Sequence, residues 1–217
     1  PAPRNSRTDF KPGRVEHTLG PPLWEIPSRV SALKGLRLRV VEGSKESRVW
    51  NEAISRFHYL GYAALPGAQI RYFVESSTDL LGVLGFGASA WKVAPRDEWI
   101  GWTIVQRKQR LHLVVNNARF LILPWVKVKN LASWALGACA RRLASDFFER
   151  YGYRPVLLET FVEKDRFRGT CYDAANWKYL GDTKGRGKLD RYNEAALPVK
   201  KIYVFPLVAN FKEQLCS

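Results

Sequence analysis

Residue types that would assign a class at once are scarce in this sequence. The 217 residues include no methionine and only three cysteines, Cys139, Cys171 and Cys216. Scattered thiols in an odd number provide neither a disulfide framework nor the paired ligands of a zinc knuckle. We therefore expect a reducing compartment, the cytoplasm. Because even an initiator methionine is missing, we also expect that the chain was processed or cut from a longer one.

Long apolar runs are missing too. The best ones, 120–126 and 156–158, are much shorter than the roughly 18 apolar residues of a membrane span. The first residues, Pro-Ala-Pro-Arg, lack the apolar stretch of a secretory signal. We expect no membrane span and no export. A hydrophobic content of 46% with eight tryptophans excludes a disordered basic tail.

Acidic residues are few relative to basic ones. The 20 Asp and Glu face 35 Lys and Arg, which gives a formal net charge of +15. Such an excess favours a polyanionic partner, and DNA is the first candidate. Residues 1–35 are rich in proline and show no periodicity, so we interpret them as an extended basic arm, which either docks on a partner or stays solvated. We interpret residues 36–217 as a single domain.

Hydrophobic periodicity predicts the helices and strands. Apolar and basic residues alternate over 36–41, which is typical of a strand with one exposed face. Val49, Trp50 and Ala53 begin a stripe at helical spacing, so we predict a helix that ends near Gly61. The further predictions are a hairpin of 69–75 and 80–86, a helix start at Pro95, an apolar strand at 120–123, a helix from Asn130 to Gly152, a strand at 155–162, a short helix at 172–179, a loop at 181–191 and a strand at 201–205.

The predicted order of elements indicates the fold class. A strand at 120–123, a long helix and a strand at 155–162 form a crossover unit, so these two strands should be parallel. A strand-rich first half precedes this unit. The sequence therefore predicts a mixed α/β (α+β) fold, mostly a central β-sheet flanked by helices.

Glu159 is the most informative single residue, because it stands in the middle of an apolar predicted strand. Burying an unpaired carboxylate is costly, so a cation, hydrogen-bond donors or a cleft must accompany it. One interpretation is a buried salt bridge, with Arg119 on the neighbouring strand as the candidate partner. The other is a catalytic or metal-binding role, although the sequence offers no close cluster of acids and so predicts no metal site.

Further polar residues accompany this carboxylate. His58, at the end of the first predicted helix, is either a capping residue or a proton-transfer group. The cluster around Asn116 precedes an apolar strand and contains either turn formers or side chains that read a substrate. Our candidate catalytic residues are Glu159, His58, Asn117 and Arg119, and the candidate pocket residues are Asn116, Tyr172, Asn176 and Thr183.

Basic and aromatic residues interleave between 164 and 201, a mixture that suits phosphate neutralisation with base stacking. The stretch 183–187 offers glycine amides and two cations to a phosphate, but it lacks the spacing of a Walker A loop. A flexible surface loop is the alternative interpretation. The candidate nucleic-acid contacts are Arg107, Lys108, Arg110, Trp177, Lys184, Arg186, Lys188 and Arg191.

Several ordered motifs resemble the DruA family, which is known from Druantia anti-phage systems and from relatives near transposable elements. The motifs are His58–Gly61, Asn116–Pro124, Asn130–Ser133, Glu159–Val162 and Gly169–Trp177 with Gly185–Gly187. The likeness covers roughly residues 45–205. It implies a defence or mobile-element context, and other defence-system subunits as partners.

The predicted second half also resembles GNAT acyltransferases in its order of strand, crossover helix and strand. That resemblance implies acetyl-CoA, whose pyrophosphate is held in GNAT enzymes by a glycine-rich loop before the crossover helix. The corresponding stretch here, 124–133, has no glycine, so Lys127 and Lys129 would have to hold phosphate. No cofactor is evident from the motifs alone, and acetyl-CoA and a divalent metal remain alternatives.

These observations favour a cytoplasmic DNA-interacting protein of a defence system or mobile element, with basic surfaces for the phosphate backbone and a polar pocket. Three alternatives stay open. One is a GNAT-like acyltransferase or nucleobase-modifying enzyme. Another is a metal-dependent enzyme of DNA nicking or strand transfer. The last is a basic scaffold subunit that docks an acidic protein partner.

Overall fold

The computed structural model describes residues 19–185 and 197–217, and these residues form one seven-stranded sheet with helices on both faces. The strands are β1 (Arg37–Val40), β2 (Ile70–Glu75), β3 (Leu80–Ala88), β4 (Val114–Ile122), β5 (Leu157–Glu163), β6 (Lys178–Asp182) and β7 (Lys200–Pro206). The helices are α1 (Gly43–Phe57), α2 (Ala94–Ile100), α3 (Ile104–Arg110), α4 (Leu131–Tyr151), α5 (Thr170–Ala174) and α6 (Phe211–Cys216), with short 3-10 turns at Val30–Ala32 and Leu111–Leu113. Within the described residues, no helix has the length and apolar character that crossing a membrane requires.

The strand order is β1-β2-β3-β4-β5-β7-β6. Among the described strands, β4 and β5 run parallel and every other neighbouring pair runs antiparallel. The parallel pair is joined by α4, as the predicted crossover requires. The predicted fold class, a mixed α/β sheet flanked by helices, is confirmed.

Helices α1 and α4 lie on opposite faces of the sheet. Neighbouring side chains of a strand point to opposite faces, and in β2 the guanidinium of Arg71 reaches Asn51 of α1 at 3.2 Å. The next residue, Tyr72, donates its hydroxyl to Asp146 of α4 at 2.6 Å. The sheet is therefore covered on both sides, and its central strands β3 and β5 are almost entirely buried.

Helix α2 shares the face of α1. Gly85 of β3 lies directly beneath Trp50 of α1, and Gly87 points the same way two residues later. Across the sheet, Gly87 pairs with Asn116 and Asn116 pairs with Glu159, so all three lie on this face. Glu159 contacts α2, which places α2 beside α1 rather than beside α4.

Helix α4 forms where periodicity predicted it. Its buried residues recur every three or four positions and pack on the sheet. Gly152 ends the helix with a φ of 75°, a backbone conformation that favours glycine. Asn130 occupies the N-cap position, as predicted, but it has a φ of 66° and makes no side-chain capping hydrogen bond. Its carbonyl oxygen accepts from the backbone N–H of Trp134 instead.

Two predicted boundaries are wrong. Strand β4 begins at Val114, six residues before the predicted strand at 120–123, so the polar cluster lies inside the strand and not in a turn. A buried strand tolerates Asn117 because its amide nitrogen donates to the carbonyl of Gly85 across the sheet, at 3.4 Å. The predicted helix at 172–179 ends at Ala174, and Lys178–Asp182 forms an edge strand. Helices α3 and α6 were not predicted.

Part of the predicted N-terminal arm lies on the body of the protein. The indole N–H of Trp24 donates to Asp79 at 2.9 Å. The backbones of Arg29 and Lys129 form a parallel bridge, and Leu33 is buried in the core. Residues 1–18 of the arm lie outside the described residues.

Candidate functional site

A cleft opens where β4 and β5 part. The two strands pair over three positions only, the last of which joins Asn116 to Glu159. Just beyond that pair β4 carries a bulge against β3, because Phe86 pairs with Asn117 but Gly85 pairs with Arg119. The resulting cleft has a volume of about 410 Å³ and is lined by both strands, by the segment after α1 and by α5.

A buried hydrogen-bond network forms the polar centre of this cleft. The hydroxyl of Tyr172 donates to Asn117 Oδ1 at 2.9 Å, and the hydroxyl of Thr160 donates to the Asn117 carbonyl oxygen at 3.0 Å. All three residues line the cleft. Burial raises the pKa of Tyr172 far above its ordinary value. Its hydroxyl is therefore a neutral proton donor at every physiological pH.

His58 lines the cleft directly after the last residue of α1. Its Nδ1 accepts the backbone N–H of Leu60 at 3.2 Å, so the proton of the neutral ring sits on Nε2. Burial, followed by the nearby charge of Arg119, lowers the pKa of His58 to about 4. At neutral pH this side chain is an uncharged hydrogen-bond donor and a weak base.

Arg119 is a partly buried cation on the α1 face of β4. Its Nη1 donates to the carbonyl of Ala118 at 2.8 Å, while its Nε is buried without a hydrogen-bond partner. No ion pair among residues 19–185 and 197–217 includes Arg119. Burial lowers its pKa. The arrangement leaves a guanidinium that can receive an anion.

Glu159 lies on the opposite side of β5 from Thr160 and outside the cleft lining. Its Oε2 pairs with Arg96 Nη1 at 2.8 Å, and both side chains are completely buried. Its Oε1 accepts from the Ser89 hydroxyl at 2.6 Å and from the Ala90 backbone at 3.1 Å. A buried salt bridge is therefore present, but the expected partner, Arg119, is wrong. Because both oxygens are occupied, the structure gives no support to Glu159 as a general base.

The candidate pocket residues lie at different places in the fold. Tyr172 lines the cleft, whereas Asn116 lies on the other face beside Glu159, with a buried Oδ1 that has no hydrogen-bond partner. Asn176 is exposed in a turn with a φ of 61°. The Thr183 hydroxyl accepts the backbone N–H of Lys200 at 2.9 Å, at the end of β6. Asn116, Asn176 and Thr183 therefore do not share a pocket with Tyr172.

The candidate nucleic-acid contacts include both buried and exposed residues. Arg107 is buried and pairs with Asp97 at 2.8 Å, so it cannot reach a phosphate. Trp177 is only 4% exposed and packs against Tyr172, so it cannot stack on a base. Lys108 and Lys184 are exposed, and Arg110 is partly buried. Arg186, Lys188 and Arg191 lie outside the described residues.

A second cavity, of about 730 Å³, lies at the start of α4. It is lined by Arg29, Lys129 and Ser133, and by Ala174 at the end of α5, the helix that also borders the first cleft. The first amides of a helix have no acceptor within the helix, and its dipole favours negative charge there. Lys127, the other lysine expected at a phosphate, is exposed but does not line this cavity. These groups fit a phosphate without the help of glycine.

Throughout residues 19–185 and 197–217, no three His, Cys, Asp or Glu side chains come together as metal ligands.

Sequence reasoning missed Thr160 and Arg96. Thr160 could have been found, because the residue after a buried Glu159 must point to the other face of the strand.

Comparison with known proteins supports a family and a fold. A family model described as Druantia protein DruA matches residues 14–197. No curated protein matches the sequence. Among solved structures, the aminoglycoside acetyltransferase AAC(6')-Ib in complex with coenzyme A aligns with a TM-score of 0.50 at 14% identity, over 79% of this chain and 95% of that one.

Two further acetyltransferases align less closely. One is yncA, a putative acetyltransferase from Salmonella typhimurium with its cofactor acetyl-CoA, with a TM-score of 0.47 at 10% identity over 81% of this chain and 96% of that one. The other is RimL, a ribosomal L7/L12 alpha-N-protein acetyltransferase, with a TM-score of 0.44 at 13% identity over 84% and 97%. The fold is GNAT-like, as the order of elements predicted.

Proposed function

The chain belongs to the DruA family, and from this premise we propose that it acts in an anti-phage defence system as a GNAT-like acyltransferase. The observation that carries the proposal is the parting of β4 and β5 beside a bulge, which opens a cleft of about 410 Å³ inside the sheet. Aminoglycoside acetyltransferase AAC(6')-Ib, which shares the fold, binds coenzyme A. We assign the same class of ligand to this cleft.

The two cavities together fit the two chemically different ends of an acyl-CoA. The cleft between β4 and β5 is mostly apolar, with the polar centre at Asn117, and it suits the acyl-pantetheine arm. The cavity at the start of α4 suits the phosphates, since Arg29, Lys129 and Ser133 line it and the dipole of α4 favours negative charge there. Helix α5 borders both cavities.

Acyl-CoA, when bound, supplies an acyl group on a thioester. Tyr172 stays protonated inside the cleft, and because its hydroxyl proton is donated to Asn117 Oδ1, its oxygen faces a bound ligand as a hydrogen-bond acceptor. The leaving sulfur would take up the proton that the attacking acceptor group loses. His58 stays uncharged at neutral pH and presents its Nε2–H as a hydrogen-bond donor. Arg119 adds positive charge near His58, which favours an anionic acceptor on the α1 face.

Calorimetry with acetyl-CoA tests this proposal. Ala118 lines the cleft at the bulge, so Ala118→Phe should fill the cleft and weaken binding by about tenfold or more. Ala64→Phe is the matched control, because Ala64 is exposed and does not line the cleft. If wild-type protein gives neither heat nor a thermal shift with acetyl-CoA, the acyltransferase proposal fails.

DNA binding is a second candidate function, favoured by the net charge of +15. Lys108 and Lys184 are exposed and can reach a duplex backbone. Each phosphate contact should steepen the fall of log affinity with log salt by about 0.9 for duplex DNA. Fluorescence anisotropy with a labelled duplex across a KCl series measures this slope, and Lys108→Gln with Lys184→Gln should reduce it. A flat salt dependence contradicts DNA binding.

The same charge also fits an acidic subunit of the defence system. In that case the protein would be a scaffold, and its complex with the subunit would dissociate with salt while its affinity for DNA stayed weak. Size-exclusion chromatography of the reconstituted system, with and without duplex competitor, separates the two. Displacement of the subunit by DNA would favour the DNA-binding candidate.

A further inference from the structure

Aromatic and cationic side chains, together with one leucine, surround the mouth of the cleft. We call this set the aromatic rim, and it consists of Tyr59, Leu60, Phe167, Arg166 and Arg168. Four of the five line the cleft, and Arg166 lies over the Tyr59 ring at 4.9 Å. The rim is built from two separate segments, the one after α1 and the one after β5.

One ring of the rim, that of Phe167, is exposed and forms a platform for a planar group. The partly buried Tyr59 ring lies 5.1 Å from it with planes 60° apart, and it stacks on His58 with centroids 4.9 Å apart and planes 29° apart. Phe167 is 45% exposed and Leu60 is 46% exposed. Large apolar side chains that cluster at a cavity mouth, instead of being scattered singly, mark a binding surface.

Cations without carboxylate partners lie next to this platform. Within residues 19–185 and 197–217, no ion pair includes Arg119 or Arg168. The buried Nε of Arg119 lacks any hydrogen-bond partner. Arg166, in contrast, pairs with Glu163 at 3.3 Å. An exposed ring beside two guanidinium groups without ion-pair partners has the chemistry of a nucleotide site, in which a base stacks and a phosphate pairs.

We infer that the aromatic rim binds an unpaired nucleotide of a single-stranded nucleic acid, which enters the cleft from the α1 face as the acceptor. An amine or hydroxyl of the nucleotide would attack the thioester carbonyl, the C–S bond would break, and coenzyme A would leave as the thiol with the proton that the acceptor loses. The inference rests on the proposed acyltransferase function of the cleft. The base would stack on Phe167, and the phosphate would pair with Arg119 or Arg168. A base inside a duplex cannot offer its face to a side chain, so the strand must be unpaired at this point. An acidic peptide would satisfy the cations but would leave the platform without a planar partner.

Fluorescence anisotropy with a labelled single strand and a labelled duplex of the same length tests the inference. Phe167→Ala should weaken single-strand binding by about tenfold, since one stacked base is lost, and should leave duplex binding unchanged. Tyr62→Ala is the matched control, because Tyr62 is 48% exposed but lies outside the cleft lining. Arg119→Gln should lower the single-strand salt slope by about one phosphate contact.

Three outcomes would overturn the inference. The first is an equal loss of single-strand affinity in Phe167→Ala and Tyr62→Ala. The second is a duplex that binds as tightly as the single strand and depends on Phe167 to the same extent. The third is a polyglutamate peptide that displaces the labelled single strand as well as an unlabelled single strand does. Calorimetry with acetyl-CoA on the wild-type protein keeps the two proposals apart, because Phe167 itself lines the cleft. If acetyl-CoA binds but the single strand ignores Phe167, the nucleotide inference fails and the transferase proposal stands. If the single strand depends on Phe167 but acetyl-CoA does not bind, the transferase proposal fails, and with it the assignment of the nucleotide as acceptor.

Discussion

The buried pair of Glu159 and Arg96 explains how an acidic residue is tolerated in the middle of β5. The carboxylate accepts three hydrogen bonds and the guanidinium reaches Asp97 as well, so the charges are compensated on both sides. Removing one partner leaves a buried charge without compensation. The pair joins α2 to β5 on the face of the sheet opposite Thr160.

Arg96→Met should therefore lower the free energy of unfolding by about 3–5 kcal/mol, measured by urea denaturation. Lys164→Met is the matched control, because Lys164 pairs with Asp182 at 2.7 Å but is half exposed. The control should leave the free energy of unfolding nearly unchanged, because solvent screens an exposed ion pair. Equal losses in the two variants would contradict the role given to the buried pair.

The pH dependence of stability should report on His58. Folding lowers its pKa to about 4, first by burial and then through Arg119, whereas the unfolded chain takes up this proton near 6.5. The unfolded state therefore binds more protons between these values, so stability falls as pH decreases from about 6.5 towards 4 and is insensitive to this group above that range. In His58→Gln the proton uptake on unfolding at about pH 5 should fall by roughly one proton. An imidazole resonance of His58 that titrates near 6.5 in the folded protein would show this account to be wrong.

At the scale of elements, the sequence predicted what depends on local pattern. Helix α4 and strands β1, β2, β3, β5 and β7 were found from periodicity, and the parallel pairing followed from the crossover. Strand β4 was placed too late, because Asn116 and Asn117 resemble turn residues until their partners across the sheet are known. The partner of Glu159 was missed for a related reason: Arg96 is 63 residues away in the chain, and no local pattern links them.

Helix α5 carries Tyr172 into the cleft, and its position depends on Gly169. This residue has a φ of +86°, and a Cβ there would lie 2.6 Å from the hydroxyl of Tyr203. Gly169→Ala should cost about 1 kcal/mol for the backbone conformation and about 1–3 kcal/mol more for overpacking. Gly101→Ala separates the two effects, because Gly101 has a φ of +84° and nothing within 4 Å of a Cβ. Similar unfolding free energies for both variants would contradict the packing argument.

At the scale of the whole molecule, the excess of positive charge and the cleft would contribute to binding in different ways. The charge supplies long-range attraction for a polyanion, which depends on salt but not on the arrangement of a site. The cleft exists because one sheet holds a parallel pair that separates after three positions, and composition cannot predict such a separation. Two of the residues first assigned to nucleic-acid contact, Arg107 and Trp177, are buried in the fold. The basic residues that are exposed, such as Lys108 and Lys184, are the ones that a partner can contact.

The central claim is that the parting of β4 and β5 is a binding site for an acyl-CoA. A crystal structure of the protein grown with acetyl-CoA tests it most directly. We expect a ligand whose acyl-pantetheine arm lies between β4 and β5, beside Asn117 and Tyr172, and whose phosphates lie at the start of α4 near Arg29 and Lys129. A saturating ligand bound elsewhere, with the cleft closed or unchanged, would contradict the claim.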